Sequence, residues 1–299
     1  AYVGNIAHMA EIGGMAAGSF SATATDIYQE GLRLPPIKLF DRGEPVKDIW
    51  RIILANHRTP ANSWGDLHAM LGSLYIGERR SRQLIEERGV DRIRISFSQL
   101  QDFAERHIRD EIRALPDGVN CAEDCFDDDG IGSGRYYIRL TMTIDGDWVV
   151  FDFTDSDSQA AGAINAPYVV TLSGALNGLL YFIGRRLPVN AGITRAVRVV
   201  AKAGTICNVQ HPGACVGGQT EYQPKLIEMI SSTILAQIGA ERAAAGSGNT
   251  SLNFLFGGVH PVSKEYFAHY HFEGNGWGGR SATDGNSAQI MPHANCRNT

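Results

Sequence analysis

An α+β fold of mixed helices and antiparallel or mixed sheets is predicted by the changes of period along this chain and by its glycine content. Apolar residues recur at helical spacing through Phe97, Leu100, Ala104, Ile108, Ile112 and Leu115, then alternate from Tyr136 to Thr154. Helical spacing returns after Pro167 and again after Pro224. Glycine supplies 34 of 299 residues, which suits tight turns and Gly-rich active-site loops better than a plain helix bundle. With 43% hydrophobic and 20% charged residues the chain can bury a large core, in one domain or two. The expected division is residues 1–120, a strand and loop site block with a helical segment, and residues 121–299, an α/β body truncated at its C-terminal end. The chain opens on Ala inside an apolar segment and stops in a loop, so it is expected to be a fragment of a larger subunit.

The elements follow in order. Tyr2, Val3 and Ile6 predict a first strand, which places His8 and Glu11 at its end, before the turn Gly13-Gly14. A His and a carboxylate three residues apart beside glycines form half of a metal site or an acid/base pair. Ile37 to Phe40 predicts a short strand, and Ile49, Ile52, Ile53 and Leu54 a helix ending near Thr59-Pro60. A long helix is expected from an N-cap at Asn62 or Ser63 through Leu67, Met70, Leu71, Leu74, Leu84 and Ile85. Gly72 and Gly77 lie inside it and imply a close neighbour there. Ser96-Phe97-Ser98-Gln99 has the form of a capping box and predicts a helix start, with closure at Pro116-Asp117-Gly118 and His107 exposed. A hairpin is centred on Asp145-Gly146, with Ile138, Leu140, Met142 and Ile144 on one face and Val149, Phe151 and Phe153 on the partner strand. Asn165-Ala166-Pro167 opens a helix, Val197 to Val200 forms a strand, and Pro224 sits in the first turn of a further helix through Ile227, Ile230 and Ile234. His269 and His271, two apart on a predicted strand, share one face and suit metal or substrate contact.

Several chemistries are excluded. A net charge of −5 and a pI near 6.0 provide no basic field for nucleic acid or an acidic membrane, and no apolar run is long enough to span a bilayer. Five scattered cysteines without a CxxC pair indicate neither a disulfide framework nor a zinc ribbon, so a reducing, cytoplasmic compartment is expected. Asp127-Asp128-Asp129-Gly130 fails the calcium-loop pattern, with Cys125 and Tyr136 where ligands are required, and reads as an acidic turn. There is no GxxxxGK[ST], GxSxG or HExxH motif, and Gly274 to Gly279 does not lead into the apolar helix a dinucleotide site needs.

Ala7-His8-Met9-Ala10-Glu11-Ile12-Gly13-Gly14 with Gly18-Ser19, followed by Ile27-Tyr28-Gln29-Glu30-Gly31-Leu32-Arg33-Leu34-Pro35-Pro36, resembles the opening block of the hydantoinase B/oxoprolinase family. Further blocks agree in order: Leu54 to Pro60, Gly65-Asp66-Leu67, Ile76 to Arg80, Phe151 to Thr154, Ile164 to Pro167, Val189 to Gly192 and Val216-Gly217-Gly218. The resemblance implies a B-type subunit that works in a hetero-oligomer with a hydantoinase A-type partner, which carries the nucleotide fold and uses the ATP. In the hydrolase branch the partner phosphorylates a cyclic amide (hydantoin, 5-oxoproline or lactam), and water is then directed onto the activated ring by the B-type subunit. In the ketone carboxylase branch, acetone or acetophenone is joined to activated bicarbonate. A non-catalytic scaffold is the third reading. A divalent metal, Zn or Mn, is implied with His8 and Glu11 as ligands and catalytic residues. Glu11 stands where the family has Asp, and Arg33 where the carboxylase branch has a second His; Arg binds no metal but grips phosphate or carboxylate. Asn165, Asn190, Gly217, Gly218 and Glu221 match substrate-site motifs, and with Arg33 form the expected substrate-binding set.

Overall fold

The structure, a computed structural model, describes residues 2–132, 134–183, 187–241, 246, 252–274 and 276–287. Apart from Gly246, the Gly-rich run 246–250 lies outside the described residues, as does the C-terminal stretch after residue 287. The chain forms two compact units, each discontinuous in sequence: residues 1–21, 28–97 and 254–271 in the first, and 22–27, 98–253 and 272–299 in the second. The boundary expected at residue 120 falls within the second unit.

In the first unit no strand forms at Tyr2 to Ile6. This segment runs along a helix instead. Asn5 Nδ2 donates to the Met70 carbonyl at 3.0 Å, and a Cβ on Gly77 would lie 2.6 Å from Val3 Cγ1. Gly77 thus has the close neighbour its position implied, whereas among the described residues nothing lies within 4 Å of a Cβ placed on Gly72. A two-residue hairpin, β1 (Phe40–Asp41) and β2 (Glu44–Pro45), precedes α1 (Lys47–Ala55), which buries Trp50 and Ile53. Helix α2 spans Pro60–Arg88 and so starts ahead of the expected cap at Asn62 or Ser63. Pro at N1 explains the shift, because its fixed φ and missing N–H suit the first helical position. Gly89, at φ 80°, ends α2, and α3 (Val90–Arg113) begins at once. Ser96 therefore lies inside α3 rather than at its N-cap, with its hydroxyl donating back to the Arg92 carbonyl at 2.9 Å. Strands β7 (Leu252–Val259) and β8 (Tyr266–Glu273) pair as a two-stranded sheet, and residues 254–271 of it belong to the first unit.

The second unit holds the main core. Its sheet has the order β3 (Gly118–Phe126), β4 (Tyr136–Asp145), β5 (Trp148–Asp152) and β6 (Val197–Val200). The first three strands are antiparallel and β6 runs parallel to β5, so the sheet is mixed. A parallel neighbour needs a crossover, and α4 (Tyr168–Ile183) lies within it. The β4–β5 hairpin turns where expected, and Ile138, Leu140, Met142, Ile144, Val149, Phe151 and Phe153 are all buried. Ala104, Ile108 and Ile112 of α3 join the same core. So do Ala175, Leu179 and Phe182 of α4.

A continuous helical run completes it. Gly218–Tyr222 is a π turn, α5 (Gln223–Glu228) is α-helical, Met229–Ile234 is again π, and Leu235–Gln237 is 3-10. The run therefore begins well before Pro224. It packs on α4 at two glycines, since a Cβ on Gly174 would meet Leu226 Cδ2 at 2.8 Å and one on Gly178 would meet Ile230 Cβ at 2.7 Å. No helix among the described residues is long and apolar enough to cross a membrane.

Candidate active site

Apart from Asn190, the motif residues lie around two loops, one in each unit. In the first unit, loop 10–19 is wound around Glu11, which is 3% exposed. Its Oε1 accepts from Gly13 N at 2.7 Å and Arg58 Nη1 at 3.0 Å, and Oε2 accepts from Gly18 N at 3.1 Å. Arg58 also donates to the carbonyls of Gly13 (3.2 Å), Ala16 (3.0 Å) and Gly14 (2.6 Å). One guanidinium thus pins both the carboxylate and the backbone it folds. Gly13 and Gly14 have φ of 90° and 82°, and a Cβ at either would collide with the carbonyl of Asn56 or Gln29. Ser19, held at φ 57°, receives Ile12 N on its hydroxyl (2.6 Å) and donates to the Gly13 carbonyl (2.8 Å). The segment carrying Arg33 lies beside this loop, through Met15 N to the Gln29 carbonyl (2.7 Å) and Leu32 N to the Ile12 carbonyl (2.9 Å).

His8 is exposed, and Arg33 is exposed with its guanidinium 5.4 Å from the centre of the Tyr28 ring. His57, between Asn56 and Arg58, has a buried Nδ1 without a hydrogen-bond partner. Burial lowers the imidazole pKa, against the opposing pull of Glu11. His269 and His271 do share a face of β8, with ring centres 5.8 Å apart, and are exposed.

The donor set does not fit a metal centre. The Glu11 carboxylate is engaged by hydrogen bonds on both oxygens, His8 stands in solvent, and the described residues contain no group of three His, Cys, Asp or Glu able to hold an ion. Glu11 holds the loop together instead.

In the second unit, Asn165, Gly217, Gly218 and Glu221 come together. Asn165 is fully buried; its Oδ1 accepts from Ala160 N at 2.7 Å, and Nδ2 reaches the carbonyls of Ala160, Gly162 and Ala214 at 2.9–3.0 Å. Its amide meets three carbonyls and one N–H, and so fastens the loop 160–165 to the segment at Ala214. Gly217 N donates to the Ala163 carbonyl at 2.9 Å, and a Cβ on Gly218 would lie 2.8 Å from the Asn165 carbonyl. The glycine pair is thus required for the helical run to start against this loop.

Glu221 sits on the first π turn, partly buried. Burial raises its carboxyl pKa, with Lys225 pulling the other way. Asn190 is elsewhere. Its Oδ1 accepts from Gly192 N at 2.8 Å, its Nδ2 reaches the Leu100 carbonyl at 3.3 Å, and it borders a cavity of about 210 Å³ beside α4 with Leu172, Leu176 and Ile193.

Two structural residues had no assigned role in the sequence. Arg58 lay inside a matched block. Asp129 belonged to the acidic turn, and in the fold it is 2% exposed. Ile131 N (3.0 Å) and Gly132 N (2.8 Å) donate to its Oδ1, Gly162 N (2.9 Å) and the Tyr136 hydroxyl (3.1 Å) to Oδ2. Burial opposes its charge, yet these donors outweigh it and hold the carboxyl at about 2. Three acidic residues before a glycine were the available signal, but the sequence could not show which one turned inward.

The fold of this chain is shared with known proteins. Residues 1–299 match the Hydantoinase B/oxoprolinase model, and the chain belongs to that family. It is 34% identical to the caprolactamase beta subunit of Pseudomonas jessenii over 82% of this chain and 42% of that protein. It is 28% identical to the B subunit of a putative D-/L-hydantoinase of Pseudomonas sp. (strain NS671) over 98% of this chain and 50% of the relative. The solved ATP-dependent caprolactamase of Pseudomonas jessenii superposes with a TM-score of 0.83 at 31% identity, covering 94% of this chain and 48% of that one. Nucleotide-free acetone carboxylase superposes at 0.82 with 16% identity, over 96% of this chain and 40% of that one, a likeness of fold alone. The chain spans about half the length of these relatives.

Proposed function

We propose that this chain belongs to the B-type subunit of an ATP-dependent cyclic-amide hydrolase, which opens a hydantoin, 5-oxoproline or lactam ring after a hydantoinase A-type partner has phosphorylated the amide oxygen. The observation that carries the reading is the 34% identity to a caprolactamase beta subunit across 82% of the chain. The chemistry is in keeping with the site. Hydrolysis of an activated ring needs rigid walls that orient a planar group, which the second unit's loop pinned by Asp129 and Asn165 supplies. In the first unit, Arg33 is exposed and of a type that grips a phosphate or carboxylate. His8, exposed at the edge of the Glu11 loop, is free to meet an incoming intermediate. The chain carries no GxxxxGK[ST], in keeping with ATP use by the partner. A cytoplasmic hetero-oligomer is part of the same proposal; among the described residues Cys121, Cys125, Cys207 and Cys215 form no disulfide.

The test is to purify the full-length subunit with its A-type partner and supply ATP with caprolactam, hydantoin or 5-oxoproline. ADP, phosphate and ring-opened product in equal amounts, without bicarbonate, are expected. One bicarbonate fixed per ketone would replace this reading with the carboxylase one. Unchanged turnover in an intact assembly carrying both H8A and R33A would favour a scaffold.

A further inference from the structure

We propose that Glu221 is the proton-accepting carboxylate of the second unit's loop cluster, the group that takes a proton from the water attacking the activated ring; the proposal rests on the hydrolase reading above. Among the carboxylates in or beside the motif loops, Glu11, Asp129 and Glu221 have surroundings that differ in kind. Glu11 and Asp129 each receive hydrogen bonds on both oxygens and serve the fold. Glu221 is partly buried, yet among the described residues its carboxylate has neither a hydrogen bond nor an ion pair. A carboxylate withdrawn from water without such a partner is destabilised in its charged form, a cost that folding alone gives no reason to retain.

Its position points the same way. Glu221 lies on a π turn, a helix form frequently found at functional sites. Directly before it come Gly217 and Gly218, and a Cβ on Gly217 would lie 3.6 Å from Glu221 Cγ, so a side chain there would crowd the carboxylate's stem. The one charge that acts on it among the described residues is Lys225, a turn further along the same run. Lys225 is itself paired with Asp124 of β3 at 3.2 Å and lies 5.3 Å from the centre of the Phe126 ring, which leaves Glu221 without a direct counter-ion. Burial raises the pKa of the carboxyl, and a base raised toward neutrality is a better proton acceptor than an ordinary carboxylate.

The step balances within the site. The water oxygen forms a bond to the ring carbon that carries the phosphorylated oxygen, and its proton passes to Glu221. The π electrons of the C=N bond move onto nitrogen, which takes that proton back from Glu221. The carboxylate is regenerated, and the tetrahedral adduct has gained one water.

The experiment uses the full-length subunit with its partner, ATP and caprolactam. E221Q is expected to lower kcat for ring opening by about 100-fold or more, the scale of general-base catalysis, with KM within about threefold and the acid limb of the kcat profile abolished. E221D, which keeps the charge at shorter reach, should restore the acid limb and part of the rate. An E221Q enzyme with kcat within about threefold of the parent and the same acid limb would overturn the assignment. Should E221Q not assemble, or should the parent complex open no ring, the carboxyl is titrated directly by 13C NMR of glutamate-labelled protein, with E221D assigning the signal. A pKa above the ordinary glutamate range supports the proposal and an ordinary value overturns it. A parent complex that opens no ring removes the hydrolase reading, a separate result from either titration outcome.

Discussion

Arg58 does more for the shape of the N-terminal loop than any residue its motif made conspicuous. Its guanidinium meets one carboxylate oxygen and three carbonyls, and Glu11 beneath it is 2% exposed by side chain. Removing one member of such a pair leaves a buried charge uncompensated, which costs about 3–5 kcal/mol. Arg58→Met and Glu11→Gln are therefore both expected to lower the urea midpoint strongly, and Arg58→Lys to recover little because an ammonium cannot reproduce the planar fork. His8→Ala, at an exposed position, should leave the midpoint unchanged. Equal losses for His8→Ala and Glu11→Gln would contradict the structural role assigned to Glu11.

Asp129 adds a pH dependence. Its carboxyl is depressed from 3.8 to about 2, so its contribution, about 2 kcal/mol, is present above pH 4 and lost as pH falls toward 2. Asp129→Asn should flatten that part of the stability profile measured by chemical denaturation between pH 2 and 5. A parallel acid slope in the variant would refute the assignment.

Among the elements, α3 and the pair formed by α4 and the helical run show how packing and local signals trade places. Ser96 resembles an N-cap in sequence, but α3 begins at Val90 and the hydroxyl bonds to the turn behind it. Ser96→Ala should change stability by less than about 0.5 kcal/mol, where a true cap would lose about 1. A loss near 1 kcal/mol in thermal melts would restore the cap. Gly178 faces Ile230 with no room for a methyl group. Gly178→Ala gains helix propensity yet overpacks the interface, and a net destabilisation of about 1–3 kcal/mol is expected. A gain in stability would mean that α4 and the run can separate without loss.

On the scale of the whole molecule, the activity proposed for the subunit depends on ATP, which the proposal assigns to its A-type partner. On its own, the purified full-length subunit should release no ADP, and adding its A-type partner should start turnover in a coupled assay. ADP release without the partner would mean that the nucleotide binds through residues no phosphate-loop motif reveals.

The period of the apolar residues by itself determined the β4–β5 hairpin, its buried face, α4 and the C-terminal half of α3. Each of those elements buries a face that repeats within a few residues, so local spacing records it. The ordered blocks likewise determined the family. Tertiary structure decided the rest. Strand β3 carries no buried residue, so no alternating apolar face records it in the sequence, and Tyr2 to Ile6 runs along α2 instead of forming a strand. Which acidic residues are structural and which is left unbonded was also decided there. Glu11, Asp129 and Glu221 are alike as letters, and only the donors brought to them by distant backbone, Arg58 across 47 positions and Gly162 across 33, make two of them structural and leave the third to chemistry.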